Sequence, residues 1–337
     1  MWGAVIHGAG DVRFEECAEP VIEKPTDAVV RTVAACVCGS DLWRYRGIAP
    51  VPKPTQIGHE YLGMVEAVGS EVTSVREGDF VVGGFTTSDG TCPACRKGAY
   101  TNCLNETGYT GCQAERIRIQ NAGGTLVRID AEPTTTLVPS LLTLSDVMCT
   151  GWHAAVCAGV GPGTSVAVVG DGAVGLCAVL AASMMGAERV IAMSRHAPRQ
   201  AIARDFGATD VIEERDEAGA AAVRELTEGL GADAVLECVG TGEARAQAAA
   251  CVRGGGRIGL VGLPHGDLPM EDLFWRNVGV WGGPAPVRAY LDRLLPLVLG
   301  GTIDPGRVFD LELPLSQVAQ AYQAMDQRTA IKVLLRP

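Results

Sequence analysis

The spacing of hydrophobic and polar residues divides the chain into a strand-rich start, an alternating middle and a short strand-like end. Before residue 140, short runs rich in β-branched residues at 29–33, 62–68 and 80–82 are separated by turns, with one short helix expected after Ser40. From Ser165 onward, short apolar strands alternate with helical segments. The pattern predicts a β-rich domain followed by a doubly wound α/β domain.

The individual elements of the later region follow from apolar runs and the polar turns between them. Strands are predicted at 165–169, 189–193, 210–212, 234–238, 257–261 and 278–282. Helices are predicted at 199–206, 218–228 and 243–252, together with an apolar helix ending at 185. Two further helices are expected at 141–159 and 287–299, and a last strand at 331–335 could rejoin the first domain.

Composition and charge narrow the classes of protein that fit this pattern. A chain of 337 residues with 47% hydrophobic residues suggests two globular domains, and its net charge of −11 argues against a nucleic-acid partner. The longest apolar segment, at 174–185, is interrupted by Gly175 and Ser183 and is too short to cross a membrane. The first residues lack an export signal, so we expect a cytoplasmic protein whose 12 cysteines are reduced and available for metal sites.

A thiol and an imidazole lie near each other in the first region. Cys38 begins the segment Cys-Gly-Ser-Asp, and His59 follows 21 residues later in Gly-His-Glu. Thiolate and neutral imidazole are both ligands that zinc prefers, so the pair predicts part of a zinc site. The alternative is that each side chain is simply buried, as a lone Cys or His usually is.

A second metal site is predicted in the irregular loop at 84–112. Asp89, Cys92, Cys95 and Cys103 follow the spacing D-x2-C-x2-C-x7-C. The loop has few apolar residues with which to fold itself, so a tetrahedral zinc would hold it together. The alternative is that the thiols are free and that Asp89 with Gly90 forms only a turn.

A glycine-rich turn joins the first strand of the α/β region to its helix. Gly170, Gly172 and Gly175 form G-x-G-x-x-G, with Ala173 and Val174 between the last two. The first glycine allows the tight turn, the second lets the backbone approach a pyrophosphate, and the third lets helix and strand pack closely. This context predicts a dinucleotide site, the alternative being a purely structural turn.

The end of the second strand predicts which dinucleotide binds. Ser194 stands where a carboxylate would bind the ribose of NAD, and Arg195 follows it, with His196 and Arg199 nearby. A hydroxyl and a guanidinium suit a 2′-phosphate, because arginine can donate two parallel hydrogen bonds to it. We therefore predict NADP(H), the alternative being a solvated basic patch.

Taken together, these motifs resemble those of the zinc-dependent medium-chain alcohol dehydrogenases, and they are closest in pattern to bacterial NADP-dependent members. The resemblance covers nearly the whole chain and includes residues 111–115 (Gly-Cys-Gln-Ala-Glu) and Asp146 followed by Thr150-Gly151. It implies a GroES-like catalytic domain at 1–149 and 287–337, into which a Rossmann domain at 150–286 is inserted.

The resemblance also implies the ligands of a catalytic zinc. Cys38, His59 and a third residue would bind the metal, and Asp146 is the expected third ligand. Cys149 is the alternative, because thiolate is also a good zinc ligand. The helix predicted at 141–159 places Asp146 and Cys149 on one face, at positions i and i+3.

Neighbouring residues have supporting roles in the same family. Glu60 would lie behind the ligands and approach the zinc during ligand exchange, Asp41 would orient the His59 ring, and Ser40 would pass the substrate proton outward. Many members carry a histidine shortly after the Ser-Asp pair, whereas this chain has Trp43 near that place. The proton relay would then stop at Ser40 and the cofactor ribose or exit through water.

The cysteine loop also departs from the family pattern. Many members have four cysteines there, and in this chain Asp89 stands at the first position. Because a carboxylate oxygen can ligate zinc, we expect a structural site of one aspartate and three cysteines, and two zinc ions per chain.

Further residues are expected around the cofactor and the substrate. The turns at 261–263 and 281–283 are expected beside the nicotinamide, together with Thr150, Val239, Gly262 and Leu263. Three aromatic side chains are expected either in an apolar substrate pocket or in ordinary core: Trp43, Phe85 and Trp152.

These inferences predict hydride transfer between NADP(H) and a primary or secondary alcohol, or the matching aldehyde or ketone. Because NADP favours the reductive direction in cells, we expect an aldehyde reductase. One alternative is an NADPH-dependent reductase of a C=N or activated C=C bond in a biosynthetic pathway, and another is a non-catalytic NADPH-binding redox sensor. The expected partners are a small alcohol or carbonyl compound and further copies of the chain, in a homodimer or homotetramer, with no nucleic acid or membrane.

Overall fold

The computed structural model describes residues 1–108, 111–130, 132 and 136–337. Parts of the predicted loop at 84–112 and of the strand-like region at 113–139 fall at 109, 110, 131 and 133–135 and lie outside the described residues. The chain forms two compact units: Met1–Cys149 with Pro286–Pro337, and Thr150–Ala285. No helix among the described residues has the length and apolar content that a membrane span requires.

Strands and short helices follow one another along the chain. The first unit opens with β1 (Trp2–Gly8), β2 (Asp11–Glu16), β3 (Ala28–Cys36), α1 (Asp41–Tyr45), β4 (Thr55–Gln56), β5 (Tyr61–Val68), β6 (Phe80–Gly83), β7 (Arg116–Ile119), α2 (Ala122–Thr125), β8 (Leu126–Arg128) and α3 (Val138–Thr143). Helix α4 (Val147–Ala158) begins in the first unit and continues in the second. The second unit then contains β9 (Ser165–Val169), α5 (Ala173–Met184), β10 (Arg189–Met193), α6 (Ala197–Asp205), β11 (Asp210–Ile212), α7 (Asp216–Leu226), β12 (Ala232–Glu237), α8 (Gly242–Cys251), β13 (Val252–Leu260), α9 (Met270–Trp275) and β14 (Gly279–Gly282). The first unit closes with α10 (Val287–Leu299), β15 (Leu311–Pro314), α11 (Val318–Asp326) and β16 (Val333–Arg336).

The first unit is built on two sheets. One has the order β2-β1-β4, and the other has the order β15-β16-β3-β5-β6-β8, with β7 also paired to β3. The last strand, β16, pairs antiparallel with β3 at Leu334–Cys36 and Leu335–Ala35. The end of the chain therefore returns to the first domain, as the sequence predicts, and it brings residue 332 next to the segment that follows β3.

The second unit is a parallel six-stranded sheet. Its order is β11-β10-β9-β12-β13-β14, and every neighbouring pair runs parallel. The order reverses between β9 and β12, and in such sheets ligands bind outside the carboxyl ends of the strands at this point. The predicted doubly wound α/β class is confirmed.

The prediction of a single helix at 141–159 is wrong. The structure has two helices, α3 and α4, interrupted at residues 144–146. Two hydroxyls bond to the backbone just there, Thr143 Oγ1 to Ser140 O at 2.7 Å and Ser145 Oγ to Leu142 O at 2.8 Å, and such local bonds compete with helix continuation. Asp146 therefore lies before α4 instead of sharing a helix face with Cys149.

Other elements lie outside the sequence prediction. Helix α11 has buried residues at the i, i+3, i+4, i+7 spacing of an amphipathic helix, so its signal was present in the sequence: Val318, Ala321, Tyr322 and Met325. Helix α9 has only Leu273 buried, so it lacks an apolar stripe that periodicity could reveal. Strand β13 begins at Val252, where the prediction still places helix.

Candidate active site

The turn after β3 is organised by the buried carboxylate of Asp41. Its Oδ2 accepts hydrogen bonds from Cys38 N at 3.0 Å and from Gln113 Nε2 at 3.2 Å. Its Oδ1 lies 3.3 Å from His59 Nδ1. One carboxylate therefore joins the thiol-bearing turn to the imidazole, and it leaves Nε2 of His59 on the opposite side of the ring.

The His59 segment needs a glycine before it. Gly58 has a φ of 99°, and a Cβ there would lie 2.5 Å from Gln113 Cγ. Any other residue would both strain the backbone and collide with Gln113. The close packing directs His59 Nε2 toward Asp146 Oδ2, at 3.3 Å, and toward Ser40 Oγ, at 3.5 Å.

Four side chains converge on one point in the first unit. Ligand atoms of Cys38, His59, Glu60 and Asp146 all lie within 4.8 Å of one another. Cys38 Sγ is 3.5 Å from Asp146 Oδ2, which is 3.3 Å from His59 Nε2. A tetrahedral zinc with ordinary bond lengths separates sulfur and oxygen ligands by about 3.6 Å, and nitrogen and oxygen ligands by about 3.4 Å. The donor set and its spacing fit zinc.

The alternative third ligand lies elsewhere. Cys149 is fully buried, its Sγ donates to Leu144 O at 3.1 Å, and it is absent from the converging group. The break before α4 explains why the two residues differ. Asp146 lies in the break, near Cys38, whereas Cys149 lies within α4 and its thiol donates to Leu144 O.

The charges of this cluster favour a cation. Burial opposes charge on His59, but the carboxylate of Asp41, followed by Cys38 and Asp146, raises the pKa of the imidazole well above its usual value. Burial and then the Asp146 carboxylate raise the pKa of the Cys38 thiol. A bound metal ion relieves this crowding of anionic groups, because it stabilises the thiolate and the carboxylate together.

A buried lysine lies behind the cluster. Lys332 Nζ is 2.7 Å from Glu60 Oε1 and 3.3 Å from Val37 O, and its side chain is 1% exposed and that of Glu60 is 0% exposed. Burial raises the pKa of Glu60, while Lys332 opposes the rise. Lys332 lies outside the sequence prediction, although a charge inside the apolar run Ile-Lys-Val-Leu-Leu is an unusual feature of the sequence.

The cysteine loop forms a second converging group. Cys92 Sγ lies 3.5 Å from Cys95 Sγ and 3.9 Å from Cys103 Sγ, close to the edge of about 3.8 Å in a tetrahedral zinc–thiolate site. Backbone N–H groups of Asp89 and Asn105 point at Cys103 Sγ, at 3.3 and 3.4 Å. The loop thus presents three thiols at metal-binding spacing.

The Asp89 carboxylate can form one further bond in this loop, to a metal ion. Its carboxylate accepts from Thr91 N at 2.8 Å, Cys92 N at 2.9 Å and Asn105 Nδ2 at 2.7 Å. Slight burial opposes ionisation, but these donors hold the pKa of Asp89 well below its usual value. A carboxylate has about four lone-pair sites, so one stays available, and Asp89 lies within 4.8 Å of the three thiols.

The glycine turn of the second unit is shaped as an open cradle. Gly170 has a φ of 114°, and a Cβ on Gly175 would lie 1.9 Å from Gly170 O. A Cβ on Gly172 would meet no atom within 4 Å, so the N-terminus of α5 opens onto free space. This is the surface that a pyrophosphate needs, and Ala173 and Val174 form the first turn behind it.

Two neighbouring loops reach the same edge of the sheet. The side chain of Val239 lies beside Gly170, and Leu263 O with Gly262 packs on Gly240. Val239 is 39% exposed and Leu263 is 46% exposed. The structure thus brings Gly170, Val239, Gly262 and Leu263 together at the carboxyl ends of β9, β12 and β13.

The other predicted nicotinamide and substrate residues are more scattered. Thr150 and Trp152 are buried on α4, and Trp281 is 70% exposed on β14. Phe85 is half-buried, and its ring centre lies 6.3 Å from that of His59. Trp43 is half-buried on α1, three positions after Ser40.

The polar residues that follow β10 differ in their exposure and in their hydrogen bonds. Ser194 is fully buried, and its Oγ donates to Asp171 Oδ2 at 2.8 Å, while Arg199 Nη1 lies 3.3 Å from Asp171 Oδ1. Arg195 is exposed. Arg215, which lies outside the sequence prediction, donates to Met193 O at 3.2 Å, and its pKa is lowered by burial and by Arg195. Arg195 is therefore the exposed cation at the end of β10, and Arg215 adds positive charge near it.

Comparisons with known proteins find relatives that span the whole chain. A family model for the alcohol dehydrogenase GroES-like domain matches residues 24–130, and one for zinc-binding dehydrogenases matches residues 173–292. A probable zinc-binding alcohol dehydrogenase of Mycobacterium tuberculosis is 34% identical, over 100% of this chain and 89% of that protein. Zinc-type alcohol dehydrogenase B of Aspergillus flavus is 33% identical, over 100% of this chain and 81% of that protein. The solved alcohol dehydrogenase TADH from Thermus sp. ATN1 has a TM-score of 0.90 and 33% identity, covering 100% of this chain and 99% of that one.

Proposed function

The chain belongs to the zinc-dependent medium-chain alcohol dehydrogenases, oxidoreductases that act on alcohols, and we propose that it reduces aldehydes or ketones with NADPH. The observation that carries the proposal is the convergence of Cys38, His59 and Asp146 at the spacing of a tetrahedral zinc. Two zinc ions per chain are proposed, one at this group and one at Asp89, Cys92, Cys95 and Cys103.

Each neighbouring side chain has a role in this proposal. When bound, zinc supplies Lewis-acid polarisation of the substrate oxygen and the nicotinamide supplies or accepts hydride. Asp41 holds Nδ1 of His59, which fixes the ring so that Nε2 faces Asp146. Ser40 Oγ lies 3.5 Å from His59 Nε2 and is the hydroxyl proposed to hand a proton to the substrate oxygen. Phe85, beside His59, excludes water from one side.

NADP(H) is the proposed dinucleotide. The Asp171 carboxylate, which lies in the glycine turn after β9 and would repel a 2′-phosphate, already contacts Arg199 and the Ser194 hydroxyl at the end of β10. Arg195 remains exposed beside the cradle, and Arg215 adds positive charge behind it. A guanidinium pair of this kind favours a doubly charged phosphate over a ribose hydroxyl.

A homo-oligomer that associates through the second unit is also part of the proposal. Strand β14 pairs only with β13 among the described strands, so one of its edges is open. Three large side chains on β14 and on the preceding helix α9 are at least 70% exposed: Phe274, Trp275 and Trp281. Open strand edges and exposed aromatic surface favour association of copies.

Replacing the thiol ligand tests the catalytic proposal. Cys38→Ser should abolish carbonyl reduction and lower zinc content by one ion per chain, while NADPH binding, measured by fluorescence titration, should stay unchanged. Cys17→Ser is the control, because Cys17 is a half-buried thiol outside both converging groups. Full turnover by Cys38→Ser would show that the metal group is not the catalytic site.

A further inference from the structure

A small pocket adjoins the candidate metal group within the first unit. Its volume is about 170 Å³, and it is lined by Ser40, Asp41, Arg44, Ile57, Gly58 and His59. Two of these residues, Ser40 and His59, belong to the proposed catalytic machinery. A molecule in the pocket therefore lies beside the place where the carbonyl would react.

The cation in this pocket has no partner among the described residues. Arg44 is half-buried, yet its guanidinium makes no hydrogen bond or ion pair with them. Every other lysine or arginine in the described part of the chain that is at least partly buried donates to a carboxylate or a carbonyl, as Arg199 does to Asp171 and Lys332 does to Glu60. Partial burial without a partner is costly for a charged group, so Arg44 stands out as an anion-binding residue.

The carboxylate that Asp41 contributes to the pocket already has hydrogen-bond partners. Asp41 accepts from Cys38 N and Gln113 Nε2, and its other oxygen contacts His59 Nδ1. Both carboxylate oxygens of Asp41 are therefore engaged, and among the described residues Asp41 forms no ion pair with Arg44. The positive charge of Arg44 is therefore available to a ligand, in a chain whose net charge is −11.

We propose that Arg44 binds a carboxylate or phosphate of the substrate, so that the preferred substrate is a short aldehyde or ketone carrying an anionic group. The inference rests on the proposed carbonyl reduction for its reacting group. A guanidinium matches both anions because it donates two parallel hydrogen bonds to their oxygens. A cavity of about 150 Å³ holds a molecule the size of benzene, so this pocket suits about six or seven heavy atoms, as in a four-carbon oxo acid.

The phosphates of the cofactor are a second source of the same chemistry, and a matched pair of substrates separates the two sources. Wild type, Arg44→Gln, Arg44→Lys and the control Lys53→Gln are assayed with 4-oxobutanoate and with butanal, which share a four-carbon chain. Lys53→Gln removes the same charge from an exposed position in the same unit. NADPH dissociation constants are measured for all four proteins.

The expected result is a loss specific to the anionic substrate. In Arg44→Gln, kcat/KM for 4-oxobutanoate should fall about 10- to 100-fold, the worth of a charge-assisted hydrogen bond, with butanal and the NADPH dissociation constant unchanged. Arg44→Lys should recover part of the loss, and Lys53→Gln should match wild type.

Two results would overturn the proposal, and a third would contradict the proposed function instead. An equal loss with both aldehydes, or none, removes the anion-binding role while carbonyl reduction stands. A rise confined to the NADPH dissociation constant assigns Arg44 to the cofactor. Failure of wild type to reduce either aldehyde contradicts the proposed function itself, and calorimetric binding of succinate against butyrate to wild type and Arg44→Gln then decides the role of Arg44 independently.

Discussion

A buried hydrogen-bond network fixes the residues around the candidate metal group. Asp41 contacts Cys38 N, His59 Nδ1 and the Gln113 amide, and the Gln113 Oε1 in turn accepts from Tyr322 Oη at 3.0 Å. Tyr322 lies on α11, near the end of the chain. The network orients the imidazole before any metal binds, which lowers the reorganisation that binding requires.

Lys332 is the residue whose loss should disturb this network most. Lys332→Met leaves the fully buried Glu60 carboxylate without its cation and should destabilise the surrounding strands by about 3–5 kcal/mol. The double variant Lys332→Met/Glu60→Gln should recover most of that loss, because no buried charge is then left unpaired. Hydrogen exchange of the β3 and β16 amides measures the effect.

The exposed Lys97→Met variant is the matched control for this prediction and should lie within about 0.5 kcal/mol of wild type. Equal exchange rates in Lys332→Met and wild type would mean that the pair contributes nothing to the stability of the site.

Among the elements, we expect the cysteine loop to depend most on a bound metal. Its own core consists of the three thiols with Ala94 and Tyr100 packed against them. Two short turns of 3-10 helix, Cys95–Lys97 and Tyr100–Asn102, are its regular structure among the described residues. A core this small does not hold a loop by hydrophobic burial alone.

Loss of one loop thiol should therefore unfold the loop without removing the other metal. Cys95→Ser is expected to lower zinc content from two ions to one per chain and to make the loop sensitive to protease, whereas Cys17→Ser keeps both ions and stays resistant. Plasma emission spectrometry and limited proteolysis measure these changes. Two zinc ions in Cys95→Ser, with an intact loop, would argue that the loop does not bind zinc.

The sequence predicts elements well where one pattern dominates. Strands β9, β10 and β11 and helix α10 have the predicted bounds, because apolar runs flanked by turns specify them locally. The break at 144–146 could not be predicted in this way, since Thr143 and Ser145 bond to backbone carbonyls in a helix that the apolar pattern continues.

The candidate site likewise combines residues that local motifs reveal with residues that no local motif reveals. The convergence of Cys38, His59 and Asp146 follows motifs that the sequence displays, whereas the Lys332–Glu60 pair joins positions 272 residues apart. No local pattern connects such positions. Arg44 likewise has no motif, and its lack of a partner among the described residues becomes visible only in the folded structure.

At the scale of the whole molecule, the exposed aromatic surface of the second unit should determine assembly. Trp281→Glu places a charge on the open edge strand β14 and should shift the protein from oligomer to smaller species in sedimentation velocity. Leu230→Glu, which changes a side chain that is 66% exposed elsewhere on the unit, should leave the oligomer intact. An unchanged sedimentation coefficient for Trp281→Glu would place the interface elsewhere.

NADPH oxidation by the zinc-loaded protein across aliphatic and aromatic aldehydes, with NADH assayed in parallel, tests the proposed function most directly. We expect turnover with NADPH preferred, and Arg195→Ala should raise the KM for NADPH about 10-fold, the worth of a charge-assisted hydrogen bond, without changing that for NADH. Equal use of NADH would contradict the role of Arg195. No turnover with any aldehyde or ketone would contradict the assignment as a carbonyl reductase.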